Sequence, residues 1–265
     1  MAYPDKPTDG SVLHWRDGAV AHIRFNRPQA LNAIDRDMAA AFARACKEVQ
    51  ADGAVRAVLL SGEGRAFMAG GDIGEMRADP ARAAEELIAG MHGGIRRLAA
   101  LDAPVICAVQ GAVAGGGLGL MLACDLALAA EGTRLSVAYP AIGASCDCST
   151  SWSLPRVLGL RKAMELALLG DTVDAAQALQ LGLVNRVVPA AQLEAESHAL
   201  VQRLAQGPTR ALGSMKKLLR SAAQHSLDEH LDVEAAGFIA CTQTEDFHEG
   251  TRAFSEKRAP QFQGR

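Results

Sequence analysis

Aromatic residues make up only 4% of this 265-residue chain: two Trp, two Tyr and seven Phe. Few rings are therefore available to stack on bases, and Lys+Arg 27 against Asp+Glu 30, a formal net charge of −3, leaves no basic surplus for a phosphate backbone. Nucleic acid is not an expected partner. The opening residues show no basic stretch leading into an apolar run and no Arg/Ser-rich transit character, so the chain reads as cytosolic. Its six cysteines (Cys46, Cys107, Cys124, Cys146, Cys148, Cys241) are scattered among apolar neighbours and read as reduced and mostly buried. Charge is missing from Ala103 to Cys124, a run long enough to cross a bilayer. Pro104, Gln110 and the glycines inside it favour a buried strand, a glycine-rich turn and a buried helix, so no membrane association is expected.

What is present is an apolar fraction of 49%, enough to bury a large core, and 26 glycines, five of them between Gly111 and Gly119. Segments 12–15 and 19–25 alternate around Asp17-Gly18, a hairpin signal. From Asp35, a candidate N-cap, Met38, Phe42, Ala45 and Val49 recur at helical spacing. Short apolar strands are expected at 57–60, 105–109 and 126–129. A helix begins at Pro80, its middle weakened by Gly90, Gly93 and Gly94, and another covers 118–124. This rhythm predicts an α/β fold of stacked ββα turns around one core over 1–195, followed by a helical region over 196–265.

Two glycine-rich turns follow predicted strands and open helices: Arg65 to Ile73, containing Gly70-Gly71-Asp72, and Gly111 to Gly119, containing Gly115-Gly116-Gly117. Glycine gives a ligand access to backbone N–H groups left unpaired at such turns, so each is a candidate anion or oxyanion donor. Tight turning and close packing explain a single such turn equally well. A dinucleotide fingerprint is poorly placed, because no acidic residue follows at the required distance beyond a second strand.

The ordered series Asn26-Arg27-Pro28, Ala30-Leu31-Asn32, Gly64 to Phe67, Ala69 to Ile73, Gly115-Gly116-Gly117, Cys124-Asp125, Leu154-Pro155-Arg156 and Leu181 to Val184 resembles the enoyl-CoA hydratase/isomerase (crotonase) superfamily. The resemblance implies an acyl-CoA thioester substrate whose carbonyl oxygen lies between the N–H groups of Gly71 and Gly116. It implies a CoA-binding surface near Ala30, Ala69, Asp72 and Ile73. Phe254 and Lys257 resemble a C-terminal segment that reaches the CoA of a neighbouring subunit, in a homotrimer or dimer of trimers. Coenzyme A is then part of the substrate, with no separate cofactor and no metal.

The departures from the family pattern carry as much information. Where hydratases of this family have two glutamates, this chain has Gly119 and Tyr139. Hydration needs a water activated by carboxylates and a proton delivered to carbon, so their loss argues against it. Asp147 matches the single aspartate of the 1,2-epoxyphenylacetyl-CoA isomerase branch, where the pattern fits best, and of the 4-chlorobenzoyl-CoA dehalogenase branch. In the first it acts as acid/base; in the second it attacks an aromatic ring, beside a histidine that His92 matches and a tryptophan that Tyr139 does not. Ile142, Leu154 and Trp152 are expected to close over Asp147 and raise its basicity by desolvation. A plainer role for Asp147 is to cap a helix beginning near Ser149, and for His92 to be a half-exposed helix residue.

Cys146 and Cys148 form a lone C-x-C without the second pair a closed zinc site requires. Lys216, Lys217 and Arg220 lie on one helix as a small basic face, expected to be solvated. The expectation is thus an enoyl-CoA isomerase using one aspartate. An atypical hydratase, a dehalogenase-like hydrolase and a non-catalytic acyl-CoA- or RNA-binding homologue stand as alternatives.

Overall fold

The computed structural model describes residues 6–265; the first five residues of the segment searched for a leader lie outside the described residues. The chain opens with the hairpin of β1 (Val12–Asp17) and β2 (Val20–Phe25), with Asp17 opposite Val20 across the turn read from Asp17-Gly18. Helix α1 (Arg36–Ala51) starts where expected, the Asp35 carboxylate accepting from the Met38 N–H at 2.8 Å. Then come β3 (Ala57–Gly62), α2 (Ile73–Ala78) and α3 (Pro80–Ala100).

The glycines of α3 do not weaken it: the helix runs unbroken for 21 residues. Gly90 and Gly94 set its distance from α1. A methyl group on Gly90 would lie 2.7 Å from the Ala39 carbonyl oxygen, and one on Gly94 2.3 Å from the Phe42 ring. The propensity cost of glycine is offset by close helix packing.

The uncharged run resolves into β4 (Val105–Val109), β5 (Ala112–Ala114) and α4 (Gly116–Ala123). Among the described residues no helix is long and apolar enough to cross a membrane. β6 (Leu126–Ala130), β7 (Arg134–Ser136), α5 (Thr150–Leu158), α6 (Leu160–Leu169), β8 (Val173–Asp174), α7 (Ala175–Gln180) and β9 (Arg186–Val188) complete the spiral. The short strands β5, β7, β8 and β9 carry too few residues for a periodic signal, and the sequence reading passes over them.

Six strands form the main sheet in the order β1-β2-β3-β4-β6-β9, parallel after the first hairpin; β5, β7 and β8 form a second, smaller layer. Each turn of the spiral lays a strand in one layer and then a short extended segment in the other. Met68 bridges Val113, and Ile34 bridges Gly71, so the second layer continues past its three named strands.

Alternation divides the main sheet's side chains between two cores. Val58, Leu60, Val105, Cys107 and Ala127 face the larger one with α1, α3 and α4; Ala57, Leu59, Ile106, Ala108 and Leu128 face the smaller. The smaller core is covered by α8 (Leu193–Ala205) through Leu193, Val201 and Ala205. The division expected at 195/196 therefore falls inside α8, a helix that belongs to the sheet because a parallel sheet must be buried on both faces. The chain ends with α9 (Thr209–Ser221), α10 (Leu227–Thr242) and α11 (Glu245–Ser255).

Candidate active site

The second layer brings the two glycine-rich turns together. Met68 and the β5 strand exchange backbone bonds, Met68 N–H to the Ala112 carbonyl at 3.1 Å and Ala114 N–H to the Met68 carbonyl at 3.0 Å. This register places Gly70 against Gly115: a methyl group on Gly115 would lie 3.6 Å from the Gly70 Cα. Gly115 has φ 51° and ψ −121°, a combination closed to residues with a side chain, and it ends β5 just where α4 begins. Among the described residues neither the Gly71 N–H nor the Gly116 N–H has an acceptor. The pairing supplies two candidate oxyanion donors, the second at a helix N-terminus whose dipole favours negative charge.

Asp147 lies beside this pair. A methyl group on Gly116 would sit 3.7 Å from Asp147 Oδ1, 3.2 Å from Cys148 Sγ and 3.1 Å from Ile34 Cδ1. The carboxylate does not cap α5: the N-cap is Ser149, without a side-chain cap bond, and only the Asp147 backbone carbonyl reaches the Thr150 N–H, at 2.9 Å. Instead the Tyr139 hydroxyl donates to Asp147 Oδ1 at 2.5 Å. Burial first, and then the Asp147 charge, push the Tyr139 phenol far above its usual range, so it is a neutral donor.

His92, on α3, is drawn to the same loop. Its Nε2 accepts from the Cys148 N–H at 3.1 Å, which requires that nitrogen to carry no proton. Cys148 and Ser149 both have positive φ, 47° and 70°, conformations costing roughly 1–2 kcal/mol each in residues with a side chain. The loop is held in this shape by Tyr139, by His92 and by the Ser149 hydroxyl, which donates to the Gly119 carbonyl at 3.1 Å.

Gly119 is filled space rather than a vacancy. A methyl group there would meet the Cys148 carbonyl oxygen at 2.4 Å and Thr150 Oγ1 at 2.5 Å. The loop carrying Asp147 occupies the volume that any side chain at 119 would need.

The expected lid over Asp147 is only partly formed. Leu154 is buried, but Ile142 is 52% exposed and Trp152 40% exposed, the latter stacked under the Arg156 guanidinium at 3.9 Å. Behind the loop a cavity of about 440 Å³ opens between α3 and α5, walled by His92, Ser149 and Trp152 among others. Both cysteines flanking Asp147 are held as thiols by burial and by its charge. Among the described residues, the one cluster with metal-ligand spacing is Asp17, His22 and His198 on the α8 side of the main sheet, which includes neither Cys146 nor Cys148.

The residues expected to meet CoA divide into two sets. Ala30, Ala69, Asp72 and Ile73 lie on one surface: the Ala69 N–H donates to the Leu31 carbonyl, and Arg27 pairs with both Asp35 (2.8 Å) and Asp72 (3.1 Å). Asp72 also caps α2, accepting from the Gly74 N–H. Phe254 and Lys257 lie at the far end of α11, which packs on α10; Phe254 is 87% exposed. One chain does not bring them onto the glycine turns through any hydrogen bond or ion pair among the described residues.

The basic face on α9 is corrected for Lys216 and Arg220, while Lys217 is exposed as expected. Lys216 is buried, pairs with Asp125 at 2.8 Å and donates to the Leu98 and Ala103 carbonyls; Arg220 pairs with Asp125 at 2.7 Å and Lys217 with Asp102 at 2.6 Å. Burial lowers the Lys216 pKa while Asp125 opposes the shift. These cations fasten α9 to the spiral, and periodicity alone does not distinguish them from a solvated face.

Comparison with known proteins agrees with this architecture. Residues 16–265 match the enoyl-CoA hydratase/isomerase family model. The chain is 38% identical over 260 residues to the 1,2-epoxyphenylacetyl-CoA isomerase of Escherichia coli K12, covering 96% of this chain and 98% of that protein. It is 34% identical to 4-chlorobenzoyl coenzyme A dehalogenase-2 of an Arthrobacter species, over 93% of this chain and 90% of the other. The crystal structure of an enoyl-CoA hydratase from Polaromonas sp. JS666 superimposes with a TM-score of 0.90 at 32% identity, over 96% of this chain and all of that one. The protein is an enzyme-family member with an α/β spiral and a helical C-terminal region, and it belongs to the enoyl-CoA hydratase/isomerase, or crotonase, superfamily.

Proposed function

We propose that this protein is an acyl-CoA isomerase in which Asp147 moves one proton between two carbons of the acyl group. The observation carrying this reading is the Asp147 carboxylate, held by Tyr139 and adjacent to Gly116, with the volume beside Gly119 filled by Cys148 and Thr150. Asp147 takes a proton from C2 of a 3-enoyl thioester, and the electron pair of that C–H bond passes into the carbonyl as a dienolate. The N–H groups of Gly71 and Gly116 receive the developing charge; each donor of this kind contributes on the order of 10²–10³ in rate. Protonated Asp147 then returns the proton to C4, leaving the double bond between C2 and C3 and the carboxylate regenerated.

The substrate is a CoA thioester, as the names of both curated relatives suggest, and CoA enters as part of it. Hydration is disfavoured because Gly119 has no room for a carboxylate. Ring attack by Asp147 is disfavoured because the His92 Nε2 is engaged by the Cys148 N–H. Binding of RNA through α9 is disfavoured because Lys216, Lys217 and Arg220 are paired with Asp125 and Asp102.

A homotrimer or dimer of trimers is part of the proposal. It is supported by the exposed Phe238, Ile239, Leu227 and Phe254 of the last two helices and by Leu168 and Leu169 of α6. The six free thiols suit a reducing cytoplasm. Incubating the purified protein with 2-enoyl-, 3-enoyl- and 4-chlorobenzoyl-CoA tests the reading. Conversion of the 3-enoyl to the 2-enoyl ester is the expected result. A 3-hydroxyacyl product alone, or chloride release alone, overturns it.

A further inference from the structure

We propose that Gly119 and Tyr139 are positioning residues that together seat Asp147 beside Gly116: Gly119 by admitting the loop, Tyr139 by donating to the carboxylate. The inference rests on the isomerase reading for its chemistry, but the seat itself is a matter of geometry.

The loop from Asp147 to Thr150 is anchored at four points. Tyr139 reaches across from the short helical turn Tyr139–Ile142, donating to Asp147 Oδ1 at 2.5 Å and lying 3.4 Å from Thr150 Oγ1. His92 holds the Cys148 N–H from α3. The Ser149 hydroxyl holds the Gly119 carbonyl of α4. The fourth anchor is contact: the Cys148 carbonyl lies where a Cβ at 119 would be, so the loop enters only because that atom is absent. Two consecutive residues with positive φ in this loop show that its shape is imposed by these neighbours rather than by local preference.

The chemical consequence follows from which oxygen is used. With Oδ1 engaged by the phenol, the carboxylate cannot rotate freely, and proton transfer is directed to one face of the bound thioester. The titratable groups around Asp147 are Tyr139, Cys146 and Cys148, with His92 one step removed through the Cys148 N–H. Tyr139 and both thiols are held neutral at physiological pH by burial and by the Asp147 charge itself.

The test uses Tyr139→Phe and Gly119→Ala in the full-length protein. Tyr139→Phe removes one donor with little change in shape. It is expected to lower kcat roughly 10- to 100-fold, the effect of losing one hydrogen bond to a charged group. KM for the thioester should stay within about twofold, so that the loss falls on kcat alone. Gly119→Ala should lower kcat at least as much, with circular dichroism unchanged. A kcat within twofold of the parent for Tyr139→Phe, or a rise in KM that accounts for the whole loss, overturns the role of Tyr139. Full activity in Gly119→Ala overturns the role of Gly119.

Proton NMR separates the seat from the function. A buried phenol–carboxylate hydrogen bond gives a downfield, exchange-protected hydroxyl signal, expected in the parent and absent from both Tyr139→Phe and Asp147→Asn. If the signal is present and no thioester is isomerised, the isomerase reading fails while the seat stands. If it is absent from the parent, the seat fails whatever the activity.

Discussion

The loop around Asp147 and the last two helices are built on opposite terms. Around Asp147 nearly every group is satisfied within the chain: the carboxylate by Tyr139, the Cys148 N–H by His92, the space at Gly119 by backbone. On α10 no residue is buried, and Phe238 and Ile239 stand 66% and 61% exposed. An apolar cavity of about 700 Å³ lies open between α9, α10 and α11. The difference is one of completeness: the loop bearing the proposed base is satisfied within one chain, whereas the last helices leave apolar surface open. Phe254 and Lys257, the residues whose resemblance points to CoA, fall on the unfinished side.

That contrast can be broken first where the tail is fastened to the spiral. Asp125→Ala strands the buried Lys216 beside Arg220 and is expected to destabilise the protein by about 3–5 kcal/mol in urea titration. Lys216→Met should cost less, since Arg220 still pairs with Asp125. If Asp125→Ala is neutral, α9 is not held by this ion cluster.

Acid should loosen the spiral through His22. Burial, assisted by His198 and Arg24, lowers its pKa to about 4. The unfolded chain, with an ordinary value near 6.5, binds the proton first. Stability from this group is therefore full above about pH 6.5 and is lost as pH falls towards 4, by up to about 3 kcal/mol. Melting temperature followed against pH in the parent and in His22→Gln checks this; equal slopes for the two would assign the acid sensitivity elsewhere.

Opening the tail should do little to the folded chain and much to its assembly. Phe238→Ser with Ile239→Ser is expected to change unfolding free energy by less than about 1 kcal/mol. If the proposed trimer forms, light scattering should show it falling towards monomers, with KM for the thioester raised as Phe254 and Lys257 lose the proposed neighbouring site. An unchanged mass would move the interface off α10. The smallest effect belongs to Lys217→Ala. Its pair with Asp102 is half exposed on both sides, and its loss should cost less than about 1 kcal/mol by the same titration.

Much of this molecule is legible in its sequence, and the legible parts share a cause. The hairpin at Asp17-Gly18, the cap at Asp35 and the two glycine turns are written in local chemistry, so pattern suffices. The resemblance then gives the order of the turns and points to Asp147. What pattern cannot give is contact across the fold. Gly90 and Gly94 read as helix breakers until α1 is seen lying against them, and Lys216 reads as solvated until Asp125 is seen beneath it. The bond between Tyr139 and Asp147 leaves no local trace at a separation of eight residues through an irregular loop. Gly119, read as the loss of a glutamate, is in the structure the space that Cys148 and Thr150 fill.

If Asp147 alone moves the proton, as proposed, Asp147→Asn preserves the shape of the loop and removes the base. Turnover of 3-enoyl-CoA should fall by about 10²–10⁴-fold, with thioester affinity by calorimetry unchanged within about threefold. Turnover equal to that of the parent protein would show that another group carries the proton.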